Sequence, residues 1–60
     1  MDTFTTLLSG LPDDDLAEIR QRGCRYAGRL ADSTNPADHA MSAVMAHIAA
    51  TAATVLVSRA

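Results

Sequence analysis

Three stretches of the chain carry apolar residues at helical spacing, and two polar breaks separate them. Phe4, Leu7, Leu8 and Leu11 fall at i, i+3, i+4 and i+7, the repeat of one helix face. Asp2 is placed to cap this segment and Gly10 to end it. Its three threonines, Thr3, Thr5 and Thr6, make it a poor autonomous helix. Residues 1–10 are therefore expected as a short helix or arm held in place by the rest of the chain.

In the second stretch Leu16, Ile19, Gly23, Tyr26, Ala27 and Leu30 share an arc of roughly 100°, and Glu18, Arg22, Arg25 and Arg29 lie together on another side. Proline in the first turn, followed by Asp13, Asp14 and Asp15, suits a helix start, where one N–H is spare and the dipole is positive. Leu11 and Leu16 have the spacing of a hydrophobic staple across that start. An amphipathic helix over 12–32 follows, stopped by the polar run Asp32, Ser33, Thr34 and Asn35.

Asn35, Pro36 and Asp38 combine a capping side chain, a first-position proline and a reciprocal acid at the third position, so a third helix is expected over 36–58. The break before it is short, which predicts an antiparallel hairpin with the second helix. The stretch 40–57 holds eighteen residues with no formal charge, no glycine and no proline, and fourteen of them are apolar. Such a run must be covered by its own chain, by another copy or by something else.

Around the third helix Met41, Val44, Met45, Ile48, Val55 and Leu56 occupy an arc of roughly 120° that also contains Ala52. A second arc is made of Ser42, Ala43, Ala46, Ala49, Ala50, Ala53 and Val57, and only His47, Thr51, Thr54 and Ser58 form a polar strip. The second helix repeats the theme, because Ala17, Cys24, Gly28 and Ala31 fall together beside its apolar arc. Small side chains let helix backbones approach closely. Each long helix thus asks for two neighbours, and a lone hairpin supplies one. The fold expected is all-α: a short N-terminal helix or arm plus an antiparallel hairpin, completing a four-helix bundle as a homodimer with the first segments outside. The self-association set is Met41, Val44, Met45, Ile48, Ala49, Ala53, Val55 and Leu56.

Composition sharpens that expectation. Sixty residues make a single domain, of a size that is marginal without a disulfide, a metal or a partner subunit. Cys24 is the only cysteine, and His39 and His47 are eight positions apart with no metal-chelating motif around them. Oligomerisation is the remedy left, and no cofactor or metal is expected. The formal charge of −2 excludes a strongly basic nucleic-acid binder. All five cations are arginine and alanine is abundant, a bias of GC-rich coding that suggests a bacterial source. The first residues lack a basic region and a long apolar core, so a cytoplasmic location is expected.

Candidate chemistry is sparse. Arg22, Arg25 and Arg29 form a stripe that could contact phosphates or an acidic partner, with Glu18 and Asp32 placed to pair with Arg22 and Arg29. Cys24 has no basic or orienting neighbour and is expected as a buried thiol. Paired symmetrically, His47 could loosen an assembly at low pH. No phosphate-binding glycine loop, nucleophile elbow or paired-carboxylate motif occurs, so no enzyme is expected. The reading is a small non-enzymatic interaction or regulatory module whose partner is itself and, in addition, another protein. The alternatives are a nucleic-acid-binding regulator using the arginine stripe, and a membrane-associated protein using 40–57.

Overall fold

A computed structural model describes residues 3–60; the expected cap at Asp2 lies outside them. The chain is all-α, with α1 at Thr3–Leu8, α2 at Asp13–Ala31 and α3 at Pro36–Arg59. Asp13 pairs with Arg59, Gly23 with Ala49 and Ala27 with Ser42, so α2 and α3 run antiparallel along their whole length.

Local chemistry sets the boundaries. Pro12 sits just before α2, in extended conformation, and no side chain caps that end. The three aspartates of the first turn therefore favour that end through the helix dipole, and Asp13 also pairs with Arg59. Leu11 and Leu16 do close over the start, in one cluster with Leu8, Ile19, Ala52, Val55 and Leu56. At α3 the Asn35 side chain accepts from the Ala37 N–H at 2.9 Å, with Pro36 in the first position. Asp38 reaches back through an intermediary: the Ser33 hydroxyl donates to Asp38 at 2.7 Å and accepts from the Asn35 N–H at 3.1 Å. His39 donates from Nε2 to the Ser33 carbonyl, tying the same turn. Gly10 does not take the left-handed conformation expected of a glycine cap. α1 ends instead with the Ser9 hydroxyl donating to the Thr6 carbonyl and the Leu11 N–H donating to Leu8.

Leu16 and Ala52 are fully enclosed, Ala49 nearly so, and Leu8 and Val55 complete the core. The core is small and lies at one end of the hairpin, where α1 folds across α3. Arg59 fastens that end by donating to Asp13 at 2.6 Å and to the Ser9 carbonyl at 2.7 Å.

Candidate self-association surface and groove

Gly23 lets the two long helices touch. A methyl group placed there would lie 3.0 Å from the Ala49 Cβ and 3.1 Å from the Met45 carbonyl oxygen. The close crossing turns α3 so that Ser42, Ala49 and Ala53 look toward α2, and the Ser42 hydroxyl donates to the Ala27 carbonyl at 2.8 Å. The expected small-residue arc is thereby divided. Ser42, Ala49 and Ala53 serve the hairpin, whereas Ala43, Ala46, Ala50 and Val57 remain exposed.

This divides the expected self-association residues too. Ala49 and Val55 are buried inside their own chain, and Leu56 and Ala53 are half-buried against it, so in this packing Ala49 and Val55 are out of reach of a second copy. Met45 and Ile48 are half-buried, while Met41 and Val44 stay 48% and 42% exposed.

The hairpin has two flanks. On one, α1 covers the core end, and beyond it a groove of about 260 Å³ opens between Glu18, Ile19, Arg22, Gly23 and Tyr26 of α2 and Met45 and Ile48 of α3. The other flank carries Ala17, Cys24, Gly28 and Ala31 of α2 beside Ala46, Ala50 and Val57 of α3, all exposed. By helical position its charged or titratable side chains are Arg20, Asp13 at the helix end and His39 of α3. Cys24, expected as a buried thiol, is exposed on this flat flank.

The polar strip of α3 asks little of solvent. Thr51 donates to the His47 carbonyl at 2.8 Å, Thr54 to Ala50 at 3.0 Å and Ser58 to Val55 at 2.7 Å, each bond inside the helix. Thr51, between His47 and Val55 on the side that α1 covers, is buried. The Phe4 ring meets the His47 ring edge-on at 5.7 Å. With its hydroxyls satisfied internally, α3 behaves as an apolar rod on nearly every side.

The arginine stripe is exposed on the rim of the groove, and Arg22, Arg25 and Arg29 surround Tyr26. Arg22 pairs with Glu18 at 2.7 Å. The expected Arg29–Asp32 pair does not form, and Arg25 and Arg29 make no ion pair among the described residues. No group of three or more metal-ligating side chains occurs among the described residues. Compared with protein-family models, with curated proteins and with solved structures, the chain matches none of them.

Proposed function

We propose that this chain is a small, non-enzymatic interaction module that works as a homodimer, two hairpins packing through their flat flanks into a four-helix bundle with α1 outside. One observation carries the reading: the flat flank joins exposed small residues of both long helices and is nearly free of charge. A solvated helix face is normally rich in charge. Alanine, glycine and cysteine side chains let two such flanks approach closely, as Gly23 and Ala49 do within the chain.

The areas agree with this. The chain exposes 4208 Å², against about 3,700 Å² expected of a folded monomer of its mass. A flank of 38 Å by 21 Å offers at most about 800 Å², which is what each partner contributes to a standard interface. Light scattering at micromolar concentration is expected to give twice the chain mass, and Ala50→Glu to return it to one. Cys24 should react slowly with a thiol reagent in the parent and quickly in Ala50→Glu. A parent that is monomeric, fully helical and cooperative in melting removes the proposal.

A second reading rests on α3 itself, a helix of 24 residues containing an 18-residue apolar window of mean hydropathy 1.8, of which 17% is buried. That length and polarity suit a membrane span. Against it, alanine contributes little to insertion, and His47, Thr51 and Thr54 would lie near mid-bilayer. Flotation of the untagged chain with lipid vesicles, rather than recovery from a detergent-free soluble fraction, would favour the membrane over the dimer.

A further inference from the structure

We infer that the groove between α2 and α3 receives a short amphipathic helix of another protein, with acidic residues along one edge of its apolar stripe. This goes beyond self-association, which uses the opposite flank. The groove continues a site that the chain already fills at one end. There α1 lays Leu8, with Leu11 just after it, onto Leu16, Ala52 and Val55, and Ile19 belongs both to that cluster and to the open groove. Six helical residues span about 9 Å, whereas the molecule is 38 Å long. Beyond α1 the groove floor of Ile19, Met45 and Ile48 is only half-buried beside Tyr26, which is 59% exposed, and helical position puts exposed Met41 and Val44 next to it on α3.

Charge selects the occupant. The α2 rim presents Arg22, Arg25 and Arg29 together with Glu18, which lines the groove and pairs with Arg22, so that Arg25 and Arg29 are the cations left unpaired among the described residues. The α3 rim, Met41 and Val44, carries no charge. An incoming helix therefore meets a net positive edge, set by Arg25 and Arg29, on one side only. A second copy of this chain is poorly matched: the described part of α1 has no acidic residue, the apolar stripe of α2 is edged by the same arginines, and α3 is uncharged between Asp38 and Arg59. Asp13, Asp14 and Asp15 lie in the first turn of α2, with Asp13 already held by Arg59. Nucleic acid would satisfy the arginines but leave Ile19, Met45 and Ile48 uncovered, with one ring, Tyr26, for stacking.

The test uses the full chain and three fluorescent probes: a designed helical peptide with leucines at i, i+3 and i+7 edged by glutamate, the same peptide edged by lysine, and a DNA duplex. Anisotropy titration at low salt should show the glutamate peptide binding about fivefold more tightly than the lysine peptide, the effect of two exposed ion pairs, with the gap closing as salt rises. Arg25→Glu with Arg29→Glu, both at exposed sites, should reverse the preference, and Tyr26→Ala should weaken both peptides. Failure of the glutamate peptide to bind, equal affinity for the two peptides, or tighter arginine-dependent binding of the duplex would overturn the inference. Because the readout is peptide preference, a monomeric chain would leave it standing.

Discussion

Gly23 and Ala49 set the spacing of the two long helices, since a methyl on Gly23 would meet the Ala49 Cβ at 3.0 Å and the Met45 carbonyl at 3.1 Å. Neither obstacle can swing aside, because one is backbone and the other is fixed to it. Gly23→Ala gains about 1 kcal/mol of helix propensity and loses about 1–3 kcal/mol to overpacking. A net loss is expected, read as a lower urea midpoint; a higher midpoint would mean that the helices part freely. Ala49→Leu should fail by the same route, with loss of helicity as well as of any dimer. On sequence alone that substitution is expected to dissociate the dimer and spare the hairpin.

Gly28 offers the opposite case, because nothing lies within 4 Å of where its Cβ would be. Gly28→Ala should raise stability by about 1 kcal/mol through propensity alone. Thermal melting checks this. A loss of stability together with a change of mass would show that the second copy approaches α2 closely enough to need glycine there.

Leu8 is the main anchor of α1, buried against Leu16, Ala52 and Val55. A six-residue helix has no independent stability. Leu8→Ala should cost about 2 kcal/mol and remove hydrogen-exchange protection from α1 while α2 and α3 stay protected. Uniform loss of protection would instead make α1 part of one cooperative unit.

Arg59 joins the end of α3 to Asp13 and to the Ser9 carbonyl, yet both side chains of the pair keep substantial exposure, 31% and 68%. Exposed pairs of this kind contribute less than about 1 kcal/mol. Arg59→Ala should therefore lower the melting temperature slightly, and the difference from the parent should shrink in high salt. A loss several times larger would reveal a role in holding the loop before α2.

The three helices, their ends to within a few residues and the hairpin are legible from residue order, because they follow from local forces. Apolar repeats place the helices, the Asn35 cap with Pro36 starts α3, the Leu11–Leu16 staple closes over the start of α2, and a short polar break forces the return. Even there, Ser33 as the relay to Asp38 was not legible, since it depends on how the loop folds back. The rotation of α3 was decided by tertiary structure alone. Apolar and small residues surround that helix almost evenly, so periodicity cannot say which arc faces inward. The fit of Ala49 and Met45 against Gly23 decides it. That contact splits the small-residue arc, buries Ala49 in the hairpin, leaves Ala46 and Ala50 beside Cys24 on an open flank, and sets Met45 and Ile48 opposite Tyr26 in the groove.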